Sequence, residues 1–193
     1  MNLPSKQEAL YRTMHNAFVP YREISQGIRG LRHWLLQLKE PPASILDVGC
    51  GNGKVCKLLS DMGYCVVGLD IVAGPYDRKG YKFVKHDIQL GFLPFKDDEF
   101  DYCVSFDVLE HLPQKWVGQA IYDMLRVSTD GIIGKVACFG RGLTGLHLTV
   151  KPPKWWTELF SRISDKEMEY KVACSLAGET LLFNTKSEEG EPK

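Results

Sequence analysis

Apolar residues along the chain follow two different spacings. Between residues 5 and 39 they recur at every third or fourth position, which predicts a helical segment that ends at Pro41 and Pro42. Further along, short apolar runs lie between polar or glycine-rich turns, and they predict strands at 44–48, 64–70, 81–84, 100–106 and 132–139. Patterns typical of helices return at 55–61, 113–127 and 153–163.

The order of these elements indicates the fold class. A strand, a glycine-rich loop, a helix and a second strand follow one another from residue 44 to residue 70, and this unit implies two parallel strands. Two final segments, 169–175 and 180–185, predict a hairpin. We therefore expect an α/β fold with a doubly wound, Rossmann-like sheet of about seven strands and helices on both faces, in which the last hairpin contributes one antiparallel strand.

Composition and charge restrict the function. The chain has 193 residues, of which 24 are Lys or Arg and 24 are Asp or Glu, so the formal net charge is zero. A neutral chain does not attract polyanions as a whole, and we expect neither general nucleic-acid binding nor membrane binding. The polar segment Met1–Glu8 has no secretory character, which favours a cytoplasmic protein. Six cysteines without a Cys-x-x-Cys pair predict reduced core residues.

Gly49, Gly51 and Gly53 form the most informative short motif, because they lie between a predicted strand and a predicted helix. Such a loop points backbone N–H groups at a ligand, and glycine there permits close approach and positive φ angles. The dinucleotide motif Gly-x-Gly-x-x-Gly fails at Lys54, and the mononucleotide P-loop fails at Val55, which stands where that motif needs a hydroxyl. Neither phosphate-binding motif fits.

The segment that contains this loop resembles motif I of class I S-adenosylmethionine (SAM)-dependent methyltransferases. The resemblance covers residues 45–139 and is carried by five ordered segments, namely Leu46-Asp47-x-Gly49-x-Gly51-x-Gly53, Val67-Gly68-Leu69-Asp70, Lys85-His86-Asp87-Ile88, Leu93-Pro94-Phe95 with Phe100-Asp101, and Val108-Leu109-Glu110-His111-Leu112. It implies the Rossmann-like fold, SAM as cofactor and S-adenosylhomocysteine as product.

The resemblance also implies roles for single residues. Asp70 would accept hydrogen bonds from both ribose hydroxyls of SAM, and Asp87 one from the adenine amino group. Asp47 would support the glycine loop and hold the ammonium group of SAM. The cofactor-binding residues that we expect are Asp47, Gly49, Cys50, Gly51, Asn52, Gly53, Asp70, Ile71, Asp87, Ile88, Ser105 and Phe106.

Two histidines are candidates for the acceptor side. Asp107-x-x-Glu110-His111 resembles the Glu-x-x-Glu-His segment that holds a divalent metal in ubiquinone-biosynthesis O-methyltransferases and small-RNA 2′-O-methyltransferases. Aspartate replaces the first glutamate here, and Leu-Glu-His-Leu also occurs in relatives without metal, so metal binding, catalysis and a structural role stay open. His147 follows the fifth predicted strand, in a loop with Arg141. We expect His111 and His147 to be catalytic, as bases for the acceptor, and we assign no metal ligand.

Two flanking segments also bear on the site. Only residues 71–80 connect the second and third strands, and Gly74, Pro75 and Gly80 interrupt them, so we expect no helix longer than about two turns there. In this superfamily, leading helices often cover the SAM pocket and shape the acceptor site. The residues that would do so here are Tyr11, Tyr21, Arg22 and Arg29, although a solvent-exposed face is favoured for the two arginines.

We expect SAM-dependent methyl transfer to an oxygen or nitrogen of a small-molecule acceptor, by a monomer or homodimer. Two alternatives stay open, namely a non-catalytic SAM-binding partner or scaffold subunit, and a methyltransferase acting on RNA or protein. The expected organisation is an N-terminal helical cap at 1–40, a SAM-binding methyltransferase domain at 41–186 and a flexible tail at 187–193.

Overall fold

The fold was analysed on a computed structural model that describes residues 8–9, 12–13, 28, 31, 33–73, 79–140, 146–175 and 178–186. Seven strands are present in that part, namely β1 (Ser44–Val48), β2 (Cys65–Asp70), β3 (Lys82–Lys85), β4 (Phe100–Phe106), β5 (Ser128–Ala137), β6 (Met168–Ser175) and β7 (Gly178–Thr185). Three helices are described over their full length, namely α1 (Lys54–Asp61), α2 (Gln114–Arg126) and α3 (Pro153–Ile163), with short 3-10 turns at Leu35–Gln37 and Leu109–His111. The described residues 8–9, 12–13, 28, 31 and 33–34 are also helical.

The strands form one mixed sheet in the order β3-β2-β1-β4-β5-β7-β6. β1 pairs in parallel with β2 and β4, β2 with β3, and β4 with β5. β7 is antiparallel to both β5 and β6, so it is the one strand that runs against the rest. The predicted α/β fold, the seven strands and the single antiparallel strand of the last hairpin are confirmed.

The predicted element boundaries differ from the structure at a few places. β5 begins at Ser128, four residues before the predicted strand, because β4 and β5 shift register between Phe100 and Tyr102. The 3-10 turn at Leu109–His111 was not predicted, since three residues are too few to show a helical spacing. Residues 71–73 and 79–80 contain no helix, while 74–78, with Gly74 and Pro75, lie outside the described residues.

Apolar side chains fill both faces of the sheet. One cluster packs α2 and α3 against the sheet, with Trp156, Phe160 and Phe183 fully buried. The other cluster lies beneath α1 and includes Leu31 and Trp34. No helix in the described part of the chain is long and apolar enough to cross a membrane.

The cysteines that the structure describes are all free thiols, and three of them lie in the core. Cys50, Cys56 and Cys103 are buried, as their apolar surroundings predict. Cys65 is exposed, so the prediction of a core position is wrong for this residue. It is the first residue of β2, where side chains alternate between the two faces of the sheet, and the buried neighbour Val66 points to the opposite face.

Gly134 offers a test of the packing between β5 and its neighbours. A Cβ atom at Gly134 would lie 2.2 Å from the Ser105 carbonyl oxygen and 2.4 Å from the Phe183 ring. Gly134→Ala should therefore lower the free energy of unfolding by about 2 kcal/mol or more, since backbone or a buried ring must shift. The measurement is equilibrium denaturation in urea.

Gly118→Ala is the matched control. Gly118 lies in α2, and an added Cβ would meet only Ile163 at an ordinary 3.7 Å. Alanine there should leave the stability unchanged or raise it by up to about 1 kcal/mol, because glycine weakens a helix. Equal stability of the two variants would show that β5 can move away from β4 without cost.

Candidate active site

A cavity that is open to solvent lies at the carboxyl ends of β1, β2 and β4. The described residues that line it are Gly49, Leu69, Asp70, Ile71, His86, Asp87, Ile88, Gln89, Asp107, Val108, His111 and Leu112.

The glycine loop uses its backbone donors within the protein. Gly49, Gly51 and Gly53 all have positive φ angles, of 75°, 52° and 71°, as the sequence predicted. The N–H groups of Gly49 and Cys50 donate to the Leu69 carbonyl oxygen, and that of Gly51 donates to an oxygen of the Asp70 carboxylate at 2.9 Å. The loop is thereby tied to the end of β2 and does not form a phosphate cradle.

Two glycines of this loop are in close contact with the protein itself. A Cβ at Gly49 would lie 2.3 Å from Val108, and a Cβ at Gly53 would lie 1.9 Å from the Tyr81 hydroxyl. The close approach that the sequence assigned to a ligand is therefore made in part by Val108 and Tyr81. The sequence held no signal for these two contacts, because their partners lie 59 and 28 residues further along the chain.

Asp70 and Asp87, which the sequence predicted for the cofactor site, both line the cavity. One oxygen of Asp70 accepts the Gly51 N–H and the other accepts the Val72 N–H, both at 2.9 Å. Asp87 accepts the backbone N–H of Gln89 at 3.0 Å, which orients its side chain at the cavity wall.

Asp47 lies beneath the loop and not in the cavity. Its side chain is buried and accepts a hydrogen bond from the Cys56 thiol at 3.1 Å. Burial raises the pKa of Asp47 to about 7, and the nearby charge of Asp70 acts in the same direction. Cys50 is buried nearby, and Asn52 accepts the Lys54 N–H at 3.2 Å, so these two residues shape the loop without lining the cavity.

The apolar and hydroxyl residues that were predicted for the site divide into two groups. Ile71 and Ile88 line the cavity. Ser105 and Phe106 do not, since Ser105 is buried in β4 and Phe106 belongs to the core cluster beneath α1. The reason is the alternation of side chains along β4, which turns Phe106 to the far face of the sheet. The Ser105 hydroxyl has no hydrogen-bond partner within the described residues.

His111 and His147 lie side by side, with ring centroids 4.8 Å apart and ring planes at 85°. The sequence predicted that these two loops would meet, and the structure brings the imidazoles together. His111 also lines the cavity, whereas His147 is not among the described residues that line it. Burial and the proximity of His147 lower the pKa of His111 to about 4, so His111 is neutral at physiological pH.

Hydrogen bonds join the two histidine loops. The Glu110 carbonyl oxygen accepts the N–H groups of Leu148 and Thr149 at 2.8 and 2.9 Å, and the Thr149 hydroxyl donates to the Leu112 carbonyl at 2.7 Å. The ring atom Nδ1 of His111 lies 3.2 Å from the Leu146 carbonyl. These contacts were not predictable from sequence, because they join segments about 35 residues apart.

The two acids of the Asp107-x-x-Glu110 segment have different surroundings. Asp107 has a positive φ of 57° and pairs with Lys135, with Oδ2 and Nζ 2.7 Å apart. Glu110 is fully buried; its Oε1 accepts the Ala137 N–H at 3.0 Å, while Oε2 has no partner among the described residues. Burial raises the pKa of Glu110 well above its ordinary value.

His86 was not predicted as a site residue, and several residues that were considered for the site lie outside the described ranges. His86 lines the cavity, and its buried Nε2 lacks a partner within the described ranges; its position next to Asp87 was the only available signal. Arg141, which was considered beside His147, lies outside the described residues. The same holds for the four N-terminal side chains Tyr11, Tyr21, Arg22 and Arg29.

The chain resembles known proteins over the part that forms this site. Residues 21–126 match the family model of a methyltransferase domain. An uncharacterized methyltransferase of Mycobacterium tuberculosis is 36% identical over 107 residues, which are 51% of this chain and 41% of that protein. The 18S rRNA (guanine-N(7))-methyltransferase of Bos taurus is 35% identical over 78 residues, 38% of this chain and 28% of that protein. The matched region thus spans less than half the length of these relatives.

The fold is shared with solved structures. The 1,6-didemethyltoxoflavin-N1-methyltransferase of Burkholderia thailandensis, solved with 1,6-didemethyltoxoflavin and S-adenosylhomocysteine, superimposes with a TM-score of 0.71. The two sequences are 14% identical, and the superposition covers 97% of this chain and 92% of the other. At this identity the likeness establishes the fold.

The buried acid beneath the loop makes stability depend on pH. Because the pKa of Asp47 is raised from 3.8 to about 7, the folded state binds a proton that the unfolded state releases between these values. Stability therefore falls as pH rises from about 4 to 7. Asp47→Asn removes this effect, so its stability relative to the unaltered protein should rise by about 2–4 kcal/mol across that range. Urea denaturation of both proteins from pH 4.5 to 8 measures the difference, and parallel curves would contradict it.

Proposed function

The chain belongs to the methyltransferase domain family, and we propose that it transfers the methyl group of SAM to an oxygen or nitrogen of a small-molecule acceptor. The observation that carries this proposal is the position of Asp70, which ends β2, faces the cavity and is bound to the glycine loop. A carboxylate held there can accept both hydroxyls of a ribose. Asp87, which follows β3 and also lines the cavity, suits the adenine amino group.

The charge of the cavity supports SAM over a phosphorylated cofactor. Asp70, Asp87 and Asp107 are among the described residues that line it, and no Lys or Arg is. Carboxylates attract the positively charged sulfonium of SAM, and they repel the phosphates of a dinucleotide or nucleoside triphosphate. The acidic lining therefore favours binding of SAM.

The acceptor lies next to His111 in this proposal. SAM carries its own reactive group, so the protein has to align the acceptor atom and take up its proton. His111 lines the cavity and is neutral at physiological pH, and His147 is in contact with its ring. Both imidazoles are held by main-chain carbonyls, Leu146 for His111 and Phe139 for His147, each at 3.2 Å. His111 can thus meet the acceptor atom in the cavity, while His147 holds the His111 ring in place.

A small molecule is favoured over RNA as acceptor. The cavity lining is acidic and the chain has no net charge, whereas RNA binding depends on basic residues that contact phosphates. The bovine relative acts on 18S rRNA, which makes RNA the second candidate and an arm of the test below. A non-catalytic SAM-binding scaffold role is disfavoured, because a pair of histidines in contact beside the cavity has no use in it.

Calorimetric titration with SAM tests the cofactor site. Asp70→Asn should weaken SAM binding by about 2–3 kcal/mol, roughly 30- to 150-fold, since a charge-assisted pair of hydrogen bonds is lost. Asp61→Asn is the control, because Asp61 is an exposed acid at the end of α1 that pairs with Lys57. NAD should not bind to any of these proteins. Unchanged SAM affinity in a folded Asp70→Asn protein would remove Asp70 from the site.

Transfer of a labelled methyl group tests the acceptor side. The label from SAM is followed into pools of small hydroxylated compounds, small amines, RNA oligonucleotides and peptides. We expect incorporation into a small-molecule pool, and His147→Ala should lower kcat by about 100-fold or more, while the Kd for SAM stays within about twofold, since His147 does not line the cavity. His33→Ala, an exposed histidine, should retain full activity. Label in RNA alone would favour the second candidate.

A further inference from the structure

Three side chains near the cavity place their potential metal-ligand atoms close to one another. Glu110, His111 and His147 each offer one potential ligand atom, and these atoms all lie within 4.8 Å of one another. Atoms bound to a single transition-metal ion at about 2.1 Å lie at most roughly 4.2 Å apart, so side-chain movements of well under 1 Å would bring the three onto one ion. We propose that Glu110, His111 and His147 form a binding site for a divalent transition-metal ion at the acceptor side of the cavity.

One oxygen of the Glu110 carboxyl is available as a ligand for a metal ion. The side chain is fully buried, and its Oε1 accepts the Ala137 N–H at 3.0 Å. Its Oε2 is buried with no hydrogen-bond partner among the described residues. Buried polar atoms nearly always have a partner, and an orphaned one indicates an ion or water that completes the site. A cation shared with two imidazoles satisfies this oxygen.

The two imidazoles are oriented as metal-binding histidines usually are. Each Nδ1 lies 3.2 Å from a main-chain carbonyl oxygen, that of Leu146 for His111 and that of Phe139 for His147. Because a carbonyl can only accept, each Nδ1 carries the proton and each Nε2 carries the lone pair. A second hydrogen bond of this kind fixes the tautomer and the ring orientation of a metal ligand.

The main chain holds the ligand-bearing segments in place before any ion binds. The Glu110 carbonyl accepts two N–H groups from the segment that carries His147, and the Thr149 hydroxyl is bonded to the segment that carries His111. Asp107, by contrast, is paired with Lys135. The ligand set is therefore not the Asp107, Glu110 and His111 set that the sequence left open, but one in which His147 takes the place of Asp107.

The donor set indicates the class of ion. Two imidazoles and one carboxylate suit Zn²⁺, Co²⁺, Fe²⁺ or Mn²⁺, whereas Mg²⁺ and Ca²⁺ need mainly oxygen ligands. A transition-metal ion here supplies a Lewis acid that lowers the pKa of a hydroxyl acceptor. The inference rests on the proposed function for that consequence alone, and it refines the acceptor to a compound with a metal-binding oxygen. The binding of the ion itself is independent of methyl transfer.

The test is direct titration of the full chain, freed of metal by chelator, with Co²⁺ and Zn²⁺. We expect one ion per chain, a visible Co²⁺ absorption typical of mixed nitrogen and oxygen ligation, and no saturable binding of Mg²⁺. Glu110→Gln, His111→Asn and His147→Asn should each weaken Co²⁺ binding at least tenfold. Asp107→Asn and His33→Asn should change it less than about threefold, since the first is paired with Lys135 and the second is exposed and distant in sequence.

Two further measurements keep the outcome clear. Circular dichroism confirms that each variant is folded, and histidine ring resonances report the ion without a variant, because the Nε2 signals of two histidines should shift on addition of Zn²⁺. Two results would overturn the inference. One is the absence of saturable Co²⁺ or Zn²⁺ binding at 1:1 stoichiometry, and the other is a metal affinity of the three ligand variants equal to that of the unaltered chain. SAM binding measured on the same samples separates the proposals: SAM binding without metal binding refutes only this one, and metal binding without SAM binding refutes only the proposed function.

Discussion

Parallel pairing of the central strands is the constraint on which the rest of the structure depends. Because β1, β2, β4 and β5 run in the same direction, their carboxyl ends meet at one edge of the sheet. The glycine loop, Asp70, His111 and the segment that leads to His147 all follow these strand ends. The edge therefore collects polar side chains from segments about 100 residues apart in the sequence, while the two faces of the sheet remain available for apolar packing.

The cofactor side of this edge is built from short backbone contacts. Gly49 and Gly53 leave no room for a side chain, since Val108 and the Tyr81 hydroxyl occupy that space. The Asp70 carboxylate binds the loop through Gly51 and is itself oriented by that bond. A loop tightened in this way turns backbone donors toward the end of β2 and leaves a carboxylate at the cavity, which suits the cationic cofactor that we propose and not a phosphate.

The acceptor side depends on burial rather than on backbone contacts. Glu110 is fully buried, and burial raises the pKa of its carboxyl and lowers that of His111. β7 pairs with β5 in the antiparallel direction, and the N–H of Ala137, the last residue of β5, donates to the Glu110 carboxyl. The buried Glu110 carboxyl and the two oriented imidazoles can together take up a cation, as we propose.

Local patterns in the sequence predicted the sheet, its single antiparallel strand, the glycine loop and the two acids at the cavity, because hydrophobic spacing and strand-end motifs are local properties. The expected order of strands also placed His111 and His147 near each other. Three features became known from the folded chain: Phe106 turns away from the cavity, Lys135 pairs with Asp107, and Glu110 lies close to both histidines. These features depend on which face a side chain takes and on contacts between distant segments, and neither is encoded in a local pattern.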